Sequence, residues 1–319
     1  MPPSGKRQEE GTMSINLRRL RAFVTVAGTR SVVGAAREMN MTPPAVTKSL
    51  RELEATLAVE LFRRTSSGML LTPAGETFLL HAERALSEIE RGREEVSLLI
   101  GGAGGRVAVG AAVEAAILVL PLALARLIKR RPQMQVSFSG GTFESLSHEV
   151  RTGALDFFLG ITPPEGVIGN LASEPIYTDE IRVIARPGHP LNSRTSLSLN
   201  DLAGFRWLQS ASHGPLAARM RRNFEDEGVA FPENTVVVEP LSSMRGLLQN
   251  SDLIAAVESV RMREELEIGK VIALPVSLPH SQYVVSVIRR DEPYLSIWAK
   301  ELIAFLRQVA KELEISANP

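Results

Sequence analysis

The 319-residue sequence contains no cysteine, which excludes disulfides and thiolate metal sites and fits a cytoplasmic location. It carries no net charge either: 36 Lys and Arg balance 36 Asp and Glu, so global electrostatics point to neither nucleic acid nor a membrane surface. Long apolar runs are missing. The most apolar stretch, Ala115 to Ala125, is 11 residues long, contains Pro121 and is bounded by Glu114 and Arg126. A bilayer needs roughly 20 such residues, so no membrane partner is expected. The first dozen residues, MPPSGKRQEEGT, have no apolar core. They read as a disordered arm over 1–14, not a secretory signal, with Met13 as an alternative start.

Catalytic signatures are missing as well. Gly101-Gly102-Ala103-Gly104-Gly105 looks superficially like a phosphate loop. It lacks the P-loop lysine, has Val107 where a third glycine belongs, and precedes a strand where it ought to follow one. His148-Glu149 opens like HExxH, but Thr152 stands in the second histidine's place, so zinc ligation fails. There is no GxSxG elbow, and the five histidines (81, 148, 189, 213 and 280) are scattered. No catalytic residue, metal ligand or resident cofactor is expected.

The length requires two or three domains, and the charge is distributed unevenly among them. Between Ile15 and Gly75 stand nine bases and four acids (Glu38, Glu52, Glu54, Glu60), a local excess of five. In the same stretch, Leu17, Leu20, Val24 and Ala27 share one helical face. Ser31 is placed to cap a second helix with Val32, Ala35, Ala36 and Met39 inward, and Asn40 marks a turn. Thr42 then caps a third helix, with Pro43 at its first position, where proline has no hydrogen bond to lose. Its stripe of Val46, Leu50, Leu53 and Leu57 leaves Pro44, Thr47, Lys48 and Arg51 on the opposite face. Compact side chains let a helix lie deep in the major groove, and cations neutralise phosphate or reach guanine. A merely solvated surface helix carries similar charges. The order of elements separates the two, because LFRR and MLL follow as short strands around TSSG, a wing with Arg63 and Arg64 at its base.

After this 15–72 module, Thr72-Pro73 starts a helix over 73–100 with Leu79, Ala82, Leu86, Ile89, Val96 and Ile100 in a heptad seam and Arg93 in the missing place. The seam suits either subunit pairing or packing on the chain's own domain. The glycines of 101–105 make a mobile joint. From Arg106 onward, seven strand-like runs (RVAVG, MQVSF, ALDFFLGI, EIRVIAR, TVVVE, LIAAV, VVSVIR) alternate with helical patterns near 115–130, 143–152, 215–228, 241–250 and 293–313. That alternation predicts parallel sheets covered by helices, arranged as two small α/β lobes around a cleft.

Phe23, Ala35, Ala36, Thr42-x-Pro44-Ala45-Val46-Thr47, Leu53-Glu54, Leu61-Phe62-x-Arg64 and Leu71-Thr72-x-Ala74-Gly75 together resemble the winged helix-turn-helix of LysR-type transcriptional regulators. GGT at 140–142, ALDFFLG at 154–160 and PGHPL at 187–191 extend the resemblance over nearly everything after residue 15. The resemblance implies an all-α winged helix-turn-helix domain, a linker helix and an α/β effector domain at 106–319. That domain has two Rossmann-like lobes of the type 2 periplasmic-binding-protein kind, lobe I near 106–176 and 280–319 and lobe II near 177–279. It places DNA contacts on Pro44, Thr47, Lys48 and Arg64, with Arg51 and Arg63 alongside. Thr47 departs from the family's usual serine and Ala58 from a common glycine.

The resemblance further implies double-stranded promoter DNA, RNA polymerase, a second copy of the chain (homodimer or homotetramer) and a small anionic or polar co-inducer as partners. By position the effector would meet Ala111, Ala112, Thr142, Thr162, Ser210, Ser212, His213 and Ser243, at strand ends and helix starts where backbone N–H groups are free. Each single hydroxyl there is more simply read as a plain helix cap. The competing reading of the whole chain is a small-molecule sensor whose N-terminal helices make protein contacts and not DNA contacts.

Overall fold

The computed structural model describes residues 15–66, 68–99, 105–112, 118–162, 169–209, 215–238, 241–291 and 295–315. Ile100, Gly101 to Gly104, Ser210, Ser212 and His213 lie outside the described residues. The chain divides into two compact units, Met1–Ala103 with Arg151–Ala154, and Gly104–Val150 with Leu155–Pro319.

In the first unit α1 (Leu17–Thr29) begins at Asn16, whose side chain accepts from Arg19 N at 3.0 Å. It buries Leu20, Ala22, Phe23 and Val26. Val24 and Ala27 only pack at the margin, and Leu17 is 40% exposed, so the inward stripe is rotated from the one expected. The cause is Phe23, whose ring meets Phe62 and Phe78, each at 5.3 Å, and aromatic burial outweighs that of the smaller residues beside it. Arg30 ends the helix in the left-handed region at φ 52.

The helix α2 (Val32–Glu38) is capped by the Ser31 hydroxyl, which accepts from Gly34 N at 3.2 Å. Asn40 turns the chain at φ 51. In α3 (Pro43–Leu57) Val46, Leu50 and Leu53 are buried as the phase predicts. The expected Thr42 side-chain cap is absent. Pro44 has no N–H to offer, and the next amide, Ala45 N, already donates to the Thr42 carbonyl at 3.0 Å. The helix ends on Ala58 at φ 53, where glycine would be free of the Cβ penalty. Strands β1 (Phe62–Thr65) and β2 (Gly68–Leu71) pair antiparallel as the wing. A 27-residue helix, α4 (Pro73–Leu99), follows.

The second unit carries β3 (Arg106–Ala111), α5 (Val119–Arg130), β4 (Gln135–Gly140), α6 (Phe143–Thr152), β5 (Phe157–Ile161), β6 (Leu171–Ala185), α7 (Leu199–Leu202), β7 (Trp207–Gln209), α8 (Pro215–Asp226), β8 (Thr235–Val237), α9 (Leu241–Gln249), β9 (Ile254–Glu258), α10 (Arg263–Glu267), β10 (Ile272–Ala273), β11 (Gln282–Arg290) and α11 (Ile297–Glu312). Among the described residues the strands join in the order β4-β3-β5-β11-β6-β9-β7-β8, with β10 on β6. The pairs β3 with β4 and β5, and β7 with β8 and β9, are parallel, as expected. The central β6 and β11 depart from the expected all-parallel arrangement, since β11 runs antiparallel to both β5 and β6 and β6 antiparallel to β9. They are the two strands on which the chain passes between the halves. Residues 171–180 of β6 pair with β11 and 181–184 pair with β9, so the change of partner falls a few residues after the expected lobe boundary at 176/177.

At that crossing the buried Asp179 carboxylate accepts from the Tyr283 hydroxyl at 2.6 Å and the Ser259 hydroxyl at 2.5 Å, with Val260 N at 3.4 Å. A buried carboxylate is tolerable only with such donors. Burial pushes the Tyr283 hydroxyl far above the ordinary phenol range, and the Asp179 charge adds to the shift. Gly105, expected to belong to the mobile joint, is instead buried. Its carbonyl accepts from Gln135 N at 2.9 Å, and an added Cβ would lie 1.9 Å from Trp298 Nε1.

Replacing Tyr283 with Phe deprives the Asp179 carboxylate of a donor and is expected to destabilise the second unit by about 1–2 kcal/mol in urea melts. Because the folded pKa is raised, the Tyr283 contribution is complete below about pH 10 and is lost as pH rises beyond it. The variant should lack that part of the alkaline fall in stability.

Candidate nucleic-acid interface and effector cleft

The exposed face of α3 is set by its buried one. With Val46, Leu50 and Leu53 inward, Pro43, Pro44, Thr47, Lys48, Arg51 and Glu52 bound an open concavity of about 470 Å³. Pro44, Lys48 and Arg51 are exposed, and Thr47 is half-buried with its hydroxyl donating to the Pro43 carbonyl at 3.0 Å. The hydroxyl therefore offers an acceptor outward in this rotamer. Lys48 Nζ lies 3.8 Å from Glu52 Oε1, while Arg51, Arg63 and Arg64 have no ion pair among the described residues. Arg63 and Arg64 are exposed on β1, opposite Leu70 and Met69.

A hairpin with strands of four residues cannot hold itself in place. Contacts to residues outside the two strands and at their flanks fix it. Glu54 Oε1 accepts from Leu61 N at 2.9 Å and Phe62 N at 3.2 Å. Met69 N donates to the Arg30 carbonyl at 3.0 Å, which the left-handed Arg30 turns toward the wing. Thr72 N donates to the Leu61 carbonyl at 3.0 Å, while the Thr72 hydroxyl donates to the Glu60 carbonyl at 2.7 Å and caps α4 by accepting from Gly75 N at 3.0 Å. A Cβ on Gly75 would lie 2.1 Å from the Leu61 carbonyl, and one on Gly68, at φ +115, would lie 2.5 Å from the Arg30 carbonyl. The paired Leu53-Glu54 and the Thr72 to Gly75 motif thus brace the wing against α3 and α4.

Along α4 the seam residues separate into two groups. Ala82 is 2% exposed, and Leu79 and Leu86 pack with it on the N-terminal core. These three answer the alternative that the helix packs on its own domain. Ile89 and Val96 are 44% and 58% exposed, and Arg93 pairs with Glu90 at 3.4 Å.

In the second unit Ala111, Ala112, Thr142 and Thr162 meet at one edge, because the parallel strands β3, β4 and β5 all end there. Two of the amides expected to be free at this edge are taken up. Ala112 N donates to the Leu159 carbonyl at 2.8 Å and Thr162 N to the Val284 carbonyl at 2.9 Å. Ala111 is wholly buried, and the Thr142 hydroxyl accepts from Ser145 N at 3.2 Å as a helix cap. The sheet ladder and the α6 cap take up these groups, as the competing reading of each hydroxyl anticipates. Thr162 Oγ1 lies 2.5 Å from Oγ of the buried Ser286, a partner that sequence reasoning missed although a lone hydroxyl interrupts the apolar VVSVI run. Ser243 is exposed near the start of α9. His189 and His280 have structural roles. His189 Nδ1 accepts from Leu191 N at 3.2 Å beneath Phe205, and His280 Nε2 lies 2.6 Å from Asp226.

A cationic helix face beside a braced basic wing defines a winged helix-turn-helix DNA-binding protein. Residues 17–76 match the model of the bacterial regulatory helix-turn-helix protein, lysR family, and residues 101–311 match the LysR substrate binding domain. The chain belongs to the LysR family of DNA-binding transcriptional regulators, which are not enzymes. It is 33% identical to the transcriptional regulator GalR of Pseudomonas putida over 97% of this chain and 77% of that protein, and 28% identical to PcaQ of Agrobacterium fabrum over 94% and 96%. Among solved structures, a full-length OxyR variant from Pseudomonas aeruginosa superposes with a TM-score of 0.71 at 20% identity, covering 96% of this chain and 99% of that one. Full-length CbnR complexed with its target DNA gives 0.62 at 19% identity, covering 93% and 100%. No helix among the described residues is long and apolar enough to cross a membrane.

Gly68→Ala is expected to force the wing away from the Arg30 carbonyl. The measurement is DNA affinity by fluorescence anisotropy, expected to fall about ten-fold as wing contacts are lost, with the melting of the second unit unchanged.

Proposed function

We propose that this chain is a cytoplasmic, ligand-responsive regulator that binds pseudo-palindromic promoter DNA as a homodimer or a homotetramer built from such dimers. A small anionic or polar metabolite entering the effector cleft would alter its output at RNA polymerase, with no resident cofactor. The observation that carries the DNA part is the exposed face of Pro44, Thr47, Lys48 and Arg51, flanked by Arg63 and Arg64, which have no ion pair among the described residues, in a member of this family. Pairing of subunits is supported by Ile89 and Val96, exposed and one heptad apart on α4. Two helices related by a two-fold axis require half-sites about one helical turn apart. The Thr162 and Ser286 hydroxyl pair at the edge of β5 suits a ligand rich in hydrogen-bonding groups.

Alanine at both Thr47 and Lys48 should abolish sequence-specific binding while leaving the melting temperature and the oligomeric state unchanged. The wild-type protein should lose affinity with salt at a slope of about −0.9 per neutralised phosphate. Salt-independent binding, or collapse of folding in the double variant, would refute the assignment.

A thermal-shift panel of small carboxylates, aromatic acids and sugars tests the cleft. A compound at about 100 times its Kd should stabilise the second unit by about 2.7 kcal/mol, and Thr162→Val should weaken that shift.

A further inference from the structure

One acid stands on the groove-facing side of α3, and the structure shows what holds it. Glu52 Oε2 accepts from Arg19 of α1 through both Nε at 3.1 Å and Nη2 at 2.9 Å, while Oε1 faces the Lys48 ammonium at 3.8 Å. The Arg19 side chain is 19% exposed, that of Glu52 40% and that of Lys48 78%. One oxygen thus serves a well-covered guanidinium with good geometry, and the other serves a loose (i, i+4) pair in solvent. Pairs of the first kind are strong and geometrically fixed, whereas exposed pairs of the second kind are weak and easily displaced.

We propose that Glu52 is a positioning residue that sets the DNA specificity of the recognition helix, with Arg19 determining how strongly it acts. The proposal rests on the DNA-binding reading of α3. In loose, sequence-independent encounters, the phosphate backbone meets a carboxylate beside Lys48, and the ammonium is partly neutralised, so affinity for arbitrary DNA is held down. When the helix seats fully in a matched site, phosphate or a base edge displaces the weak Lys48 contact at little cost. Glu52 keeps its charge satisfied by Arg19, so no buried, unpaired carboxylate results. Without Arg19, Glu52 would draw Lys48 more tightly and present a less compensated negative charge to the DNA. Discrimination then arises from a repulsive element that penalises wrong partners more than the right one.

The test uses the full-length protein with two duplexes, one selected by the wild-type protein from a random-sequence library and one scrambled duplex of the same composition. Glu52→Gln should raise affinity for the scrambled duplex about five-fold at low salt. It should also steepen the salt slope for that duplex by up to about 0.9, one further phosphate neutralised, and so lower the ratio of specific to non-specific affinity. Arg19→Met should weaken binding to the selected duplex several-fold, and Arg19→Met combined with Glu52→Gln should restore it. The rescue separates this role from a simple brace between α1 and α3, since a brace lost from either side is not restored by removing the other. The proposal is overturned if Glu52→Gln leaves both affinities and slopes unchanged, if both fall in step with the melting temperature, or if the double variant is no better than Arg19→Met. A wild-type protein that binds neither duplex would instead refute the underlying DNA-binding reading.

Discussion

The amides of Leu61 and Phe62 both end on one carboxylate oxygen of Glu54, and the shape of the DNA-facing surface depends on that junction. The carboxylate belongs to the recognition helix, so the wing it holds moves with that helix as one body. Two further backbone contacts complete the brace, from Met69 to the Arg30 carbonyl and from Thr72 to the Leu61 carbonyl. Both sit where a side chain would collide with a carbonyl oxygen, which is why Gly68 and Gly75 are glycines. A charge-assisted bond to backbone amides is stronger than a neutral one. It lets a very short hairpin carry Arg63 and Arg64 at a defined distance from Lys48 and Arg51.

The zero net charge of the chain hides a deliberate local arrangement. Arg51, Arg63 and Arg64 have no ion pair among the described residues, and two of the four acids in this module are occupied structurally. Glu54 is spent on the wing and Glu52 on Arg19. The remaining positive field is therefore exposed where phosphate would pass. In the second unit polar groups are used differently. Asp179, Tyr283 and Ser259 form a buried knot where the two crossing strands change partners, fixing the point about which the halves of the sheet are joined. Thr162 and Ser286 share a hydroxyl contact a short way along the same β11 strand.

Much of this was legible from residue order. The phase of α3, the Ser31 cap, the Asn40 turn and the wing all follow local rules, and the structure places them as those rules require. The local strand signal of β6 is confined to its second half, because Leu171 to Asp179 contains Glu174, Pro175, Thr178 and Asp179 and looks like a loop. Pairing with β11 makes it a strand, and Pro175 is accommodated at a bulge where the register passes from Val285 opposite Tyr177 to Ser286 opposite Pro175. Strand β7 has three residues, too few for any periodic signal. That Ala111, Thr142 and Thr162 share one edge of the sheet was legible in the alternation of strands and helices. Their amide and hydroxyl partners were not, since these depend on the neighbouring strand.

The sequence by itself determined the modules, the exposed cationic face of α3 and the family to which the chain belongs, because apolar periodicity, caps and turn residues act within a few positions of one another. Only the tertiary structure decided which seam residues of α4 remain exposed after Leu79, Ala82 and Leu86 join the domain core, and which cations on the DNA side are held by an acid. Arg19 and Glu52 stand 33 residues apart, and no local pattern records that a guanidinium on one helix will meet a carboxylate on another. That meeting exists only once α1 and α3 have packed across Phe23, Val46 and Leu53, and the packing sets the geometry that short-range rules leave open.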